Sequence, residues 1–87
     1  MASTGKVKAD RHTLRAARAR LELTQAALGN AAGVSALAVR QLETGKVSPH
    51  ESTREAIQSA LEARGIVFTN GDKPGFYFDK TKVDIPS

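Results

Sequence analysis

The sequence predicts a mainly α-helical fold, in which four to five short helices form a compact bundle and a small β-hairpin follows them. Two observations predict it. Apolar residues recur at helical spacing from residue 10 to about residue 64, and after Gly65 their period changes to two. The chain has 87 residues and no cysteine, so we expect one modest core without disulfides.

The composition also narrows the classes of function. A net charge of +4 favours a polyanionic partner. No apolar run approaches the ~18 residues of a membrane span, so a soluble, cytoplasmic protein without a membrane partner is expected. Neither a glycine-rich phosphate loop nor a metal-ligand cluster is present, which predicts no cofactor and no metal. No pair of titratable groups has the spacing for catalysis, so we expect no enzyme.

The first helix follows a short arm. Residues 1–9 mix Gly, Ser, Thr and Lys without periodicity, which predicts a flexible basic N-terminal arm. From about Asp10 the pattern is helical, with Leu14, Ala17, Arg18 and Leu21 on one stripe. Arg18 is a charge in this apolar stripe, and periodicity alone does not explain it.

Two short helices joined by a tight turn come next. Thr24 is a good N-cap for a helix from about Gln25 to Ala32. Gly33 ends that helix, because glycine adopts left-handed geometry without steric cost, and Ser35 caps the next one. Two short helices around a turn with glycine are the helix-turn-helix signature. Gly29 lies inside a helix at a cost of ~1 kcal/mol relative to alanine, which predicts a close backbone approach.

The third helix has two unlike sides when its residues are turned by ~100° each. One side carries Ala36, Leu37, Arg40, Gln41 and Thr44. The opposite side carries Ala38, Val39 and Leu42. Because the second set already supplies a core face, Leu37 is expected on the outer face, where a soluble monomer gains nothing from it.

A fourth helix over roughly residues 50–64 precedes the hairpin. The segment "IVFTNGDKPGFYF" predicts a hairpin over residues 65–78, and residues 79–87 are expected to be a loosely ordered tail. Both faces of each strand are apolar, and a lone hairpin is unstable in water. One face should therefore pack on the helices, and we expect the other at a homodimer interface. The candidates for that interface are Val67, Phe76, Tyr77 and Phe78.

Several short motifs carry a family resemblance. They are Thr24-Gln25, Leu28 with the small Gly29, "AGVS" at 32–35 and "LETGK" at 42–46. With them, the chain from about Leu14 to Leu61 resembles the lambda-repressor and Cro-like (XRE) family of helix-turn-helix transcription regulators. The resemblance implies that residues 10–64 form a domain that binds double-stranded DNA. It also implies that the protein is a repressor associated with the nucleoid. Such a repressor would bind a palindromic operator as a homodimer.

The resemblance also implies roles for single residues. The positions that face base edges in the major groove are Ser35, Ala36, Leu37 and Gln41, and the chemistry of Arg40 adds it as a candidate for guanine or phosphate. The phosphate candidates are Gln25, which would also buttress the third helix, Thr44 and Lys46. Arg18 and Glu43 match a buried ion pair, which would explain the charge in the apolar stripe.

One departure from the family pattern leaves alternatives open. Ala36 and Leu37 stand where many members have glutamine, serine or arginine. Small apolar side chains can contact the thymine C5-methyl group but form no hydrogen bonds, so DNA shape is expected to contribute to specificity. Alternatively, Leu37 covers a neighbouring helix or an unknown protein partner. The chain would then be an interaction module, such as an antitoxin or an antagonist of another regulator.

Overall fold

The computed structural model of the chain describes residues 7–46, 50–70 and 73–84. Four α-helices and a two-stranded antiparallel sheet lie in these ranges: α1 (Arg11–Arg20), α2 (Gln25–Ala32), α3 (Ala36–Thr44), α4 (Glu51–Glu62), β1 (Arg64–Thr69) and β2 (Gly75–Val83). The predicted mainly helical fold with a C-terminal hairpin is confirmed, and the described residues contain four helices rather than five. None of these helices has the length and hydrophobicity needed to cross a membrane.

Local signals place the first three helices. The side-chain oxygens of Asp10, Thr24 and Ser35 each accept a hydrogen bond from the backbone N–H three residues later. Each bond satisfies one of the orphan N–H groups at a helix start. Gly33 ends α2 with φ 75°, in the left-handed region that the sequence predicts for it.

The turn between α2 and α3 is packed closely. A Cβ atom on Gly29 would lie 2.7 Å from the carbonyl oxygen of Val34 and 3.1 Å from two backbone atoms of Ser35. The close approach predicted for Gly29 is therefore confirmed, and its partner is the backbone that leads into α3. This contact holds α3 at a set position relative to α2.

A hydrophobic core joins the helices to the hairpin. Its buried residues are Ala9, Leu14, Ala17, Leu28, Val39, Leu42, Ile57, Ala60, Leu61, Ile66 and Phe68. Val39 and Leu42 supply the inner side of α3, as the helical periodicity predicts. The core therefore fixes which side of α3 remains in contact with solvent.

The hairpin packs one face on this core. Ile66 pairs with Phe78 and Phe68 pairs with Phe76, and these side chains share the inner face. Between them, Val67 pairs with Tyr77. Since successive residues of a strand point to opposite faces, this pair lies on the outer face of the hairpin.

The second strand is longer than the sequence predicts. It continues to Val83, through residues expected to start a loosely ordered tail, while residues 85–87 lie outside the described part. The register shifts between Arg64 and Ile66, so that Arg64 pairs with Val83. The Asp79 carboxylate accepts hydrogen bonds from the N–H and hydroxyl of Thr81 inside this irregularity. This β-bulge interrupts the alternation of side chains between the two faces of the strand. The sequence pattern therefore does not reveal the part of β2 beyond residue 78.

The start of the described chain contacts α4, which the sequence pattern does not predict. The N–H of Ala9 donates to Gln58 Oε1 at 3.0 Å, and Gln58 Nε2 donates to the carbonyl of Val7. Gln58 itself is only 1% exposed. These contacts join residues about fifty positions apart, so no local pattern could show them. The rest of the predicted arm, residues 1–6, lies outside the described residues.

Candidate nucleic-acid interface

The solvent side of α3 and its flanking residues form a continuous surface, which we call the α3 outer face. It consists of Ser35, Ala36, Leu37, Arg40, Gln41, Thr44 and Lys46. Gln41 is half-buried and the other six are exposed. The base-contact candidates predicted from the sequence therefore lie together on one accessible side of one helix.

A concavity of about 290 Å³ lies within this face. It is lined by Leu37, Arg40, Gln41, Thr44 and Lys46. Two cations, an amide and a hydroxyl thus surround one apolar side chain. This chemistry suits a polyanion whose inner surface carries hydrogen-bonding edges and apolar groups, as the major groove of DNA does.

The Thr44 hydroxyl already has a helical partner. It donates a hydrogen bond to the carbonyl oxygen of Arg40 at 3.0 Å. Phosphate oxygens only accept hydrogen bonds, so this hydroxyl has to rotate before it can donate to a phosphate. Lys46 has three donors at the end of a flexible stem and is the simpler phosphate ligand.

The inner side of α3 is held by a buried ion pair. Arg18 Nε lies 2.6 Å from Glu43 Oε2, and a second Arg18 nitrogen donates to Glu43 Oε1 at 2.9 Å. The remaining terminal nitrogen of Arg18 donates to the carbonyl of Leu23 at 2.8 Å. This bidentate geometry ties α1 to α3 and gives the charge in the apolar stripe of α1 a structural partner.

Gln25 joins the same network. Its Nε2 donates to Glu43 Oε1 at 3.1 Å, so the first residue of α2 contacts the last turn of α3. An amide nitrogen has two N–H donors, and this bond uses one of them. The second donor is available for another acceptor next to the N-terminus of α2, where backbone N–H groups already favour anions.

The charge state of Glu43 follows from its surroundings. Burial raises the pKa of this carboxyl group, but the hydrogen bonds from Arg18 and Gln25 lower it more, with help from the charges of Arg18 and Arg15. The net pKa lies below its ordinary value, so Glu43 is ionised at neutral pH. The hydrogen bonds that Arg18 donates to Glu43 in turn raise the pKa of Arg18. Arg18 and Glu43 are therefore both charged at neutral pH, and the ion pair between them is retained there.

Apart from Arg18, sequence reasoning assigned no role to the arginines outside α3, and the structure shows that their partners differ. Arg11 donates to the carbonyl of Glu43 at 3.0 Å and lies against Gly45, where it caps the C-terminal end of α3. Arg20 lies 4.7 Å from the centre of the Phe78 ring. Their partners are distant in sequence, so no local signal indicated these contacts.

Two further arginines, Arg54 and Arg15, also differ in their surroundings. Arg54 is held by Glu51 and Gln58 on its own helix. Arg15 is exposed, and its charge helps to lower the pKa of the Glu43 carboxyl group.

The hairpin candidates divide between two faces. Phe76 and Phe78 are partly buried against the core, whereas Tyr77 is 52% exposed. Val67 lines a groove of about 490 Å³ between the hairpin and α4, together with Val7 and Lys82. The structure therefore leaves Val67 and Tyr77 on the accessible side and uses the two phenylalanines in the fold. In the described ranges, no three His, Asp or Glu side chains are close enough together to hold a metal ion.

The geometry of α2 and α3 agrees with a comparison against protein families. The family model for the helix-turn-helix domain matches residues 11–66, which run from the start of α1 into β1. The chain belongs to the helix-turn-helix domain family. No curated protein matches it. In such domains the second helix of the motif enters the major groove of DNA, so membership of the family implies DNA binding, and α3 is the second helix of the motif here.

Proposed function

We propose that this helix-turn-helix domain is a sequence-specific transcription regulator of the lambda-repressor and Cro-like kind, and that it represses by occupying a promoter. The observation that supports this most is the contrast within α3. Its inner side is held by Arg18, Gln25 and Glu43, while its outer side presents Arg40 and Gln41 around an open concavity. A rigid helix with a free polar face is what base readout requires. We place the protein in the cytoplasm, on the nucleoid.

The residues divide into base readers and phosphate ligands. Gln41 pairs with adenine, and Arg40 pairs with guanine or a phosphate. Ser35 and Ala36 lie at the start of α3, the end of a recognition helix that usually reaches base edges. Lys46 and Thr44 hold the phosphate backbone beyond the other end of the helix. Gln25 donates one N–H to Glu43 and the second to a phosphate.

The regulator acts as a homodimer on an imperfect palindrome in this proposal. The outer hairpin face, which is the pair Val67 and Tyr77, is the surface offered for the second subunit. A two-fold axis there sets two copies of α3 in successive major grooves. The half-sites are then about one helical turn, roughly 34 Å, apart.

The first test is selection of bound duplexes from a random DNA pool at near-physiological salt. We expect a two-fold symmetric motif whose halves lie about one turn apart, with an affinity that falls steeply as salt rises. Weak, salt-sensitive binding without any enriched motif would contradict the proposal. It would favour a module that uses Leu37 to contact a protein partner.

Two variants test the assigned roles. Gln41→Ala should weaken binding to the selected motif more than binding to random DNA, because it removes a base contact. Lys46→Ala should weaken both by the same factor and reduce the salt slope by about one, because it removes a phosphate contact. Equal losses on both DNAs for both variants would contradict these roles.

The dimer surface needs a different pair of variants. Tyr77→Asp places a charge on the outer hairpin face and should give a monomer in sedimentation equilibrium. Tyr77→Phe keeps the apolar ring and should remain a dimer. Substitutions of Phe76 or Phe78 would not be informative, since these rings pack on the core. If Tyr77→Asp remained a dimer, the interface would have to lie on the helices instead of the hairpin.

A further inference from the structure

Leu37 is the most exposed of the large hydrophobic residues in the described part of the chain, at 58%. A single exposed leucine is common on protein surfaces and means little by itself. Its surroundings distinguish this one. It lies in the concavity beside Arg40 and Lys46, in the middle of a face whose positive charge complements a polyanion. The charged groups around Leu37 therefore favour DNA as the molecule that covers this side chain. The next step is to identify the part of the DNA that Leu37 contacts.

The edges of the base pairs restrict the answer. In the major groove, adenine, guanine and cytosine present hydrogen-bond donors and acceptors, and the apolar feature is the C5-methyl group of thymine. Cytosine that is methylated at C5 carries the same group at the same ring position. A leucine that packs against this edge removes more apolar surface from water where such a methyl group is present, and it therefore gains more free energy there.

The neighbours of Leu37 hold it at one base pair. Arg40 and Gln41 follow it by three and four residues and share its side of the helix. In the proposed function they form hydrogen bonds to adjacent base edges, which would fix the register and bring Leu37 to the same pyrimidine in every copy of the site. Leu37 does not need to pack within the domain, since Val39 and Leu42 fill the inner side of α3.

We propose that Leu37 makes binding depend on the C5-methyl group of one pyrimidine in each half-site, so that methylation of a cytosine at that position strengthens binding. This regulation of the site rests on the proposed function as a DNA-binding regulator. Burial of one methyl-sized group predicts a roughly four-fold change in affinity for each methyl group. The affinity for thymine relative to uracil should exceed one by the same factor as the affinity for 5-methylcytosine relative to cytosine.

The experiment uses the full chain and the duplex obtained by selection. Each pyrimidine of a half-site is changed in turn, thymine to uracil or cytosine to 5-methylcytosine, and affinity is measured by fluorescence anisotropy. At the sensitive position, four duplexes carry thymine, uracil, 5-methylcytosine or cytosine. Hydrogen-bonding differences between thymine and cytosine cancel, because each methyl effect is taken within one base type.

Two variants connect the effect to Leu37. Leu37→Asn keeps a similar volume but is polar, and it should bring both methyl ratios to about one. Leu37→Met keeps an apolar side chain of similar reach and should retain them. Leu37 is exposed, so circular dichroism should show the same helix content in the wild type and both variants.

The outcomes separate this inference from the proposed function. Specific binding with methyl ratios of one at every pyrimidine would overturn the inference and leave the regulator in place. Ratios that persist in Leu37→Asn would assign methyl recognition to another residue and overturn the role of Leu37. Loss of all duplex binding by the wild-type protein would overturn the proposed function, and the inference with it.

Discussion

The two sides of α3 differ sharply in burial and in the residues that they contact. The inner side packs Val39 and Leu42 into the core and holds Glu43 at 3% exposure in a network with α1 and α2. The outer side carries Leu37 and Arg40 in contact with solvent. Nine residues therefore serve two purposes. The inner side determines where the helix lies, and the outer side is the surface that the proposed function assigns to DNA.

This difference predicts that substitutions on the two sides will affect different measurements. The inner side contains a buried charge and close backbone contacts, so changes there should reduce the free energy of unfolding. Changes on the outer side should leave that free energy nearly unchanged and alter binding to DNA. Four experiments test this separation, in order of decreasing effect on stability.

The largest effect is expected for Glu43→Ala. The substitution leaves the Arg18 guanidinium partly buried without its carboxylate and removes the acceptor of Gln25. Breaking a buried pair costs about 3–5 kcal/mol, and we expect the lower end because Arg18 retains some solvent contact. Urea denaturation measures the change. The double variant Arg18→Met with Glu43→Leu is the control and should recover much of the loss. A loss below about 1 kcal/mol in the single variant would contradict a stabilising role for this pair.

Gly29→Ala should have the next largest effect. The new Cβ would lie 2.7 Å from the Val34 carbonyl oxygen, which belongs to backbone and cannot move aside cheaply. Overpacking of this kind typically costs about 1–3 kcal/mol, and a thermal melt would show the lower Tm. Gly75→Ala is the matched control, because no atom lies within 4 Å of its added Cβ. Equal melting temperatures for the two variants would show that the turn can relax.

Acid should weaken the inner side selectively. Although burial raises the pKa of Glu43, its hydrogen bonds from Arg18 and Gln25 lower it more, to below the ordinary value of 4.5. A group whose folded-state pKa is lowered stabilises the fold above its unfolded-state pKa and loses that contribution as pH falls through the folded-state pKa. The stability difference between wild type and Glu43→Gln should therefore be largest near neutral pH and shrink in acid. A difference that stays constant with pH would mean that the charge of Glu43 does not contribute.

The smallest effect on stability is expected for Arg40→Ala on the outer side. Its side chain is exposed, and the Thr44 hydroxyl bonds to the Arg40 backbone carbonyl, which the substitution retains. The free energy of unfolding should change by less than about 0.5 kcal/mol, while binding to the selected duplex weakens. A large loss of stability would show that the outer side also supports the fold.

The sequence was most informative where structure depends on neighbours within about four residues. Thr24 and Ser35 are caps because their oxygens meet N–H groups three positions later, and Gly33 ends α2 through its own backbone freedom. Gly29 was also interpretable, because a glycine inside a helix needs a packing reason. The outward position of Leu37 followed from periodicity alone.

Resemblance and tertiary contacts supplied the rest of the candidate site. Periodicity marked Arg18 as unusual, but only the family pattern pointed to Glu43, and no signal pointed to Arg11 as a cap for α3. The hairpin was predicted from alternation. The sequence did not predict which aromatic residues of the hairpin face the core, because both faces of each strand are apolar.

The sequence by itself determined the existence of the helices, the caps Thr24 and Ser35, the end of α2 at Gly33 and the polar outer side of α3, because these depend on local hydrogen bonds and side-chain spacing. Only the tertiary structure decided that Gln58 anchors the segment from Val7 to Ala9, that β2 extends to Val83, and that Gln25 contacts Glu43. These features join residues far apart in the chain. Their partners are selected by the packing of the whole domain, which a local pattern does not contain.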